Sequence, residues 1–148
     1  MILWRISNHV SLDGSGGLRA PGRWHTRGHR IVYCAPNPAT ALLETLVHAE
    51  IDVEDIPVSF RFLEIDVPDT VDTETLNAEM LPGNWRSDLA VTRRAGDEWL
   101  RSGRTALLRV PSAIVPMTWN VLVNPRHPNS PQIRIIRAYE HPIDPRLL

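Results

Sequence analysis

The sequence predicts an α+β fold: a compact single domain, residues 1–148, built around a bent mixed sheet. Three observations carry this. The length of 148 residues suits one domain able to bury a real core without staples. Short strand-like runs outnumber helical ones and do not alternate with them as regular βαβ winding requires. Prolines, thirteen in all, cut the second half into short pieces, which favours short, strongly bent strands.

Taken in order, Ile2–Ile6 reads as a short strand, and Ser11–Gly17 as a glycine- and serine-rich loop. Ile31–Ala35 is a second strand. Asn37 and Pro38 supply an N-cap and a first-turn proline for a helix reaching Ala49. Its Ala39, Leu42, Leu43, Leu46 and Val47 keep helical spacing. Val58–Val67 runs as a strand with Phe60, Phe62 and Ile65 among its buried residues. Residues 72–80 are expected as a short helix and Leu81–Asn84 as a turn. Asp88–Arg101 is a helix closed by Ser102-Gly103. Thr105–Val110, Asn120–Val123 and Ile133–Ala138 complete the strands.

Composition excludes several function classes. An apolar fraction of 43% and a charged fraction of 22% are ordinary for a soluble globular protein. The lone Cys34 rules out an intramolecular disulfide and fits a reducing compartment. No apolar run nears the roughly 18 residues of a membrane span. The opening MILWRIS is too short for a signal peptide, so a cytoplasmic protein is expected. All sixteen basic residues are arginine, whose planar fork suits bidentate phosphate contacts; a GC-rich genome accounts for that usage equally well. They are unevenly spread: residues 1–33 hold five arginines against Asp13, and residues 44–79 hold eleven acids against Arg61. No continuous basic tract favours direct nucleic-acid binding.

The chemistry concentrates in Leu18–Tyr33, LRAPGRWHTRGHRIVY, with Glu44 eleven residues further on. Gly22 lets backbone approach a ligand closely, Arg23 can clamp a pyrophosphate or carboxylate, and Trp24 can wall a pocket. Equally, Arg23 can stack on Trp24 in solvent. Arg5 shares a strand face with Leu3 and opposes Trp4 and Ile6, which reads first as a wet face. Tyr33 suits either a core position with its hydroxyl at the rim or stacking on a flat heterocycle. Glu44 lies between Thr40 and His48 on a polar helical strip, an ordinary i,i+4 pair or a pocket carboxylate. Ser112 follows Val110-Pro111 without the GxSxG elbow a serine nucleophile would have. His25 and His29 are four apart, but Arg27-Gly28 between them speaks against a helix presenting both to a metal. The sequence has no HExxH, CxxC, Walker A or GxGxxG motif, so no metal and no bound cofactor is expected. Asn124-Pro125-Arg126-His127-Pro128 reads as a rigid polar turn in which His127 is available for acid–base work.

Six pieces in this order make a more specific pattern: Trp4-Arg5-Ile6, Gly22-Arg23-Trp24, Ile31-Val32-Tyr33, Ala41-Leu42-Leu43-Glu44, Val110-Pro111-Ser112-Ala113 and Asn124-Pro125-Arg126-His127-Pro128. The chain resembles the RES-domain family, the toxins of RES–Xre type II toxin–antitoxin pairs. Arg23, Glu44 and Ser112 match the arginine, glutamate and serine that name the family, while His25 stands where many relatives carry asparagine. The resemblance implies an ADP-ribosyltransferase-like fold and depletion of NAD through its nicotinamide–ribose bond, by hydrolysis or with inorganic phosphate as co-substrate. It implies catalytic roles for Arg23, Tyr33 and Glu44, and substrate contacts from Arg5, Gly22, Arg23, Trp24, Tyr33, Ser112 and Asn124. It also implies an Xre-like helix-turn-helix antitoxin as partner, with a homodimer allowed within that complex; the acidic Glu50–Asp55 stretch and the Pro-rich C-terminus are the candidate contact surfaces on this chain. An RNase-type toxin using His25, His29 or His127, and an inactive homologue working within a repressor complex, are the alternatives.

Overall fold

The structure is a computed structural model and describes residues 1–48 and 59–147. Among the described residues the α-helices and strands follow in the order β1 (Ile2–Ile6), α1 (Gly16–Arg19), β2 (Val32–Cys34), α2 (Pro38–His48), β3 (Ser59–Asp66), β4 (Thr73–Thr75), α3 (Leu89–Ser102), β5 (Leu107–Pro111), β6 (Trp119–Val123) and β7 (Arg134–Pro142). The expected bent sheet takes the form of two sheets. One is antiparallel with order β1-β3-β7. The other has order β2-β6-β5-β4 and is mixed, because β4 runs parallel to β5. An isolated bridge between Trp4 and Ala35 joins them, which brings β1 and β2 side by side.

Burial is continuous over Val121–Val123 of β6, as in a sheet covered on both faces, while successive side chains enter opposite cores. Val121 and Val123 enter one core with Leu3, Val32, Leu63, Ile65 and Leu107, between the sheets. Leu122 points the other way, into a second core with Trp24, Trp85, Trp99, Leu108 and Val110. Helix α3 supplies Trp99 to that second core and ends at Gly103 in the left-handed conformation (φ 62°), as the Ser102-Gly103 stop signal predicts. Helix α2 starts as expected, with Asn37 Oδ1 accepting the Thr40 N–H at 2.8 Å.

Two expectations are corrected. Residues 72–80 do not form a helix: Thr73–Thr75 is the edge strand β4 and only Ala78–Met80 makes a 3-10 turn. Thr-Glu-Thr has no apolar periodicity of its own, so pairing with β5 decides its state. The glycine-rich loop also runs directly into the one-turn helix α1. Ala49, Val58 and the Glu50–Asp55 stretch lie outside the described residues. Among the described residues no helix is long and apolar enough to cross a membrane.

Candidate active site

A cleft of about 520 Å³ opens where β1, β2, α2 and the turn around Gly22 meet, lined among others by Arg5, Gly22, Arg23, Tyr33, Glu44 and Asn120. The bridge that joins the sheets therefore also assembles the cleft, since it sets β1 beside β2. Helix α2 packs across β1 and delivers Glu44 from the other side.

The Glu44 carboxylate is held asymmetrically. Its Oε1 accepts the Ser112 hydroxyl at 2.9 Å and the Asn120 side-chain N–H at 2.8 Å. Its Oε2 keeps only a longer 3.6 Å approach from His48 Nε2, one helical turn on. Burial is the largest single influence and pushes the carboxyl up. The bonds from His48, Asn120 and Ser112, with the charge of His48, together outweigh it and hold the carboxyl below its ordinary value. Glu44 is thus an ionised group anchored through Oε1, with Oε2 met among the described residues only by the longer approach of His48. Ser112 is itself fixed, its oxygen accepting the Ile114 and Val115 N–H groups. Replacing Ser112 by alanine removes a donor that favours the charged form. The Glu44 carboxyl should then titrate at higher pH, as followed by carboxyl carbon NMR.

Arg5 does not sit on a wet face. Leu3, on the same side of β1, is 1% exposed, and Arg5 Nη1 is buried with no hydrogen-bond partner among the described residues. A buried N–H donor is costly to leave without an acceptor, so this nitrogen of the half-buried Arg5 marks a place for an acceptor such as an anion. Arg23 donates from Nη1 to the Arg86 carbonyl at 3.1 Å. Partial burial lowers its pKa, opposed by the charge of Glu44, and a guanidinium stays cationic throughout. The Tyr33 hydroxyl is bonded to His25 and accepts the Trp24 backbone N–H.

The turn that carries Arg23 is clamped by one face of α3, which the sequence did not announce. Arg93 Nε donates to the Gly22 carbonyl at 2.8 Å and the Thr92 hydroxyl to the Arg23 carbonyl at 2.6 Å. Asp97 accepts both the Thr26 N–H at 2.9 Å and its hydroxyl at 2.6 Å.

Of the residues singled out from sequence, Arg5, Gly22, Arg23, Tyr33 and Glu44 share the cleft, and Ser112 stands behind Glu44. Two do not line it. Trp24 is 2% exposed in the second core, tilted against Trp85 at 6.1 Å, because α3 draws the turn inward. Asn124 is buried beyond the end of β6, where Nδ2 donates to the Leu100 carbonyl at 3.3 Å and Oδ1 accepts the Arg126 N–H; it ties the polar turn to α3. Of the three histidines of the RNase alternative, His25 alone lines the cleft. His25 is buried between Ala20 and Tyr33, His29 lies 3.7 Å from Asp97, and His127 Nδ1 accepts the Asn129 N–H within its own turn. From sequence Asn120 is only the start of a strand, yet it is the side chain that fixes Glu44 Oε1 beside Ser112. The available signal was one amide side chain in the otherwise apolar run Trp119–Val123.

The same two-sheet fold is seen in a solved toxin. The structure described as the MbcT–MbcA toxin–antitoxin complex of M. tuberculosis matches with a TM-score of 0.75 at 17% identity, covering 95% of this chain and 84% of the matched one. The chain belongs to the RES-domain family, whose model matches residues 2–144. "Toxin Res" of Pseudomonas putida is 50% identical over 135 residues, 91% of this chain and 92% of its own length. "Prs ADP-ribosylating toxin" of Sphingobium is 37% identical, covering 98% and 95% respectively.

Proposed function

We propose that this chain is the toxin of a toxin–antitoxin pair and depletes NAD by cleaving the bond between nicotinamide and ribose. The observation that carries this reading is the Glu44 carboxylate, ionised and anchored through Oε1, facing a cleft that also holds the loop Arg23 and Arg5, whose buried Nη1 has no partner among the described residues. Nicotinamide leaves a pyridinium as a neutral molecule, so the leaving group needs no proton. The second, acidic carboxyl of ordinary glycosidases has no task here, and one carboxylate suffices.

The less tightly held Oε2 of Glu44 binds the ribose hydroxyls, and the carboxylate stabilises the positive charge that develops as the sugar becomes an oxocarbenium ion. Arg5 and Arg23 hold the pyrophosphate. The Tyr33 ring packs on the nicotinamide. Water as acceptor gives ADP-ribose, nicotinamide and a proton. Inorganic phosphate gives ADP-ribose 1″-phosphate, nicotinamide and a proton. A protein side chain would give an ADP-ribosylated target, a second reading favoured by the name of the Sphingobium relative. The RNase alternative retains His25 at the cleft beside Arg5 and Arg23, with both ring nitrogens committed to Tyr33 and Ala20. The antitoxin partner is expected to be of the Xre helix-turn-helix type, and the compartment the cytoplasm.

The test is nicotinamide release from NAD by the purified chain, with and without phosphate, beside Glu44→Ala. Release that the variant abolishes establishes the glycosidic chemistry, and dependence on phosphate separates phosphorolysis from hydrolysis. A folded sample that releases nothing in either buffer, and does not modify protein, overturns the enzymatic reading. A regulatory subunit would also fail to arrest growth when expressed alone. Arg23→Lys keeps the charge but loses the bidentate fork. It is expected to weaken NAD binding by about tenfold or more, the worth of one charge-assisted hydrogen bond; near-normal affinity by calorimetry would remove Arg23 from the phosphate site.

A further inference from the structure

The turn Gly22–His25 and strand β2 are tied together by a chain of hydrogen bonds whose polarity is fixed at both ends. His25 Nε2 lies 3.0 Å from the Ala20 carbonyl oxygen, and Nδ1 lies 2.7 Å from the Tyr33 hydroxyl. A carbonyl only accepts, so Nε2 carries the ring proton. The neutral ring then has a bare Nδ1, which accepts the Tyr33 O–H. The Tyr33 oxygen in turn accepts the Trp24 backbone N–H at 3.1 Å. Burial, the largest influence, keeps the ring neutral by lowering its pKa, helped by His29 and Arg93 and opposed by the Ala20 carbonyl and Asp97.

Space closes around this chain. His25 is 3% exposed, and its ring lies 5.6 Å from that of Tyr33 at a 50° tilt. A Cβ added to Gly22 would stand 2.9 Å from His25 Cε1 and run into the Tyr33 hydroxyl, so a side chain at 22 is incompatible with the pair. The Tyr33 proton is committed to Nδ1, and burial pushes the phenol away from ionisation. Tyr33 therefore neither gives nor takes a proton in the cleft. What it offers a ligand is its ring.

On the NAD-cleaving reading above, we propose that His25 is a positioning residue: by accepting the Tyr33 proton and donating to Ala20, it locks the Tyr33 ring and the turn that carries Arg23 relative to Glu44. The two halves of the imidazole can be tested separately. The amide oxygen of asparagine is bonded to Cγ, as Nδ1 is, so H25N keeps an acceptor for Tyr33 and loses the link to Ala20. The amide nitrogen of glutamine is bonded to Cδ, as Nε2 is to Cδ2, so H25Q does the reverse. The kcat/KM of H25N should exceed that of H25Q by about tenfold, the worth of one buried hydrogen bond. In a Tyr33→Phe background that advantage of H25N should disappear, because the partner that it alone keeps is gone. A packing role alone predicts that glutamine, closer in volume to histidine, does at least as well, with a ratio indifferent to Tyr33→Phe; that result overturns the proposal.

Nitrogen NMR of the histidines supplies a readout independent of catalysis. The wild-type protein should show the Nε2–H tautomer at His25, and Tyr33→Phe should move the Nδ1 resonance while leaving the Nε2 proton in place. A proton found on Nδ1, or an Nδ1 resonance that ignores Tyr33→Phe, overturns the lock even if H25Q fails to fold. A correct tautomer and Nδ1 response in a protein that releases no nicotinamide would overturn the NAD reading and leave the lock standing.

Discussion

Glu44→Gln should leave NAD bound and reduce its cleavage by about 10²–10³-fold in kcat, the range seen when one preorganised charge-stabilising group is removed from an active site. The substitution keeps the shape of the side chain. The glutamine oxygen can still accept the Ser112 hydroxyl and the Asn120 N–H that hold Oε1 in place, so the cleft keeps its walls. What disappears is the negative charge, and that charge matters most when the sugar becomes cationic, a state absent from the bound substrate. Single-turnover nicotinamide release and calorimetric NAD binding, measured on the same sample, separate the two terms. A dissociation constant within about threefold of wild type (less than 1 kcal/mol) with turnover lost is the expected pair. Weak binding with chemistry intact would make Glu44 a substrate anchor only.

Much of that site was legible because it is written locally. Asn37-Pro38 starts α2, and the 3.6-residue period then fixes which positions share a face with Glu44. Alternation along β1 placed Arg5 beside Leu3, but not whether that face was wet; only the pairing of β1 with β3 and the bridge to Ala35 decide it. Trp24 shows the opposite failure. Its neighbours Gly22 and Arg23 reach the cleft, and sequence adjacency suggested that it would too. The clamp from α3 turns it into the second core instead. Asn120 and Asn124 divide in the same manner. Both are asparagines flanking apolar β6 residues, and only the register of β6 against its neighbours brings the first to Glu44 and leaves the second at α3. Long-range pairing, with no local residue code, is what sequence reading could not supply.

The clamp gives the sharpest test of that long-range order, because it reverses the sign of a familiar substitution. Gly96 lies in the interior of α3, where an exposed glycine replaced by alanine ordinarily stabilises a helix by about 1 kcal/mol. Here a Cβ at position 96 would collide with the Trp24 carbonyl. The obstacle is backbone rather than a flexible side chain, and that backbone cannot retreat freely. Thr92 holds the carbonyl before it, Asp97 holds Thr26 after it, and the Trp24 ring is packed on Trp85. Gly96→Ala should therefore destabilise the protein by about 2–3 kcal/mol, as overpacking of a well-filled core does. For a domain of this size the melting temperature should fall by roughly 6–10 °C, with the urea midpoint falling alongside. Because the displaced turn also carries Arg23, the surviving folded protein should bind NAD more weakly, whereas a loss of stability confined to α3 would leave affinity unchanged. A variant that is stabilised instead, with NAD affinity intact, would mean that α3 and the Arg23 turn do not meet, and the cleft would lose the support that aims its arginine.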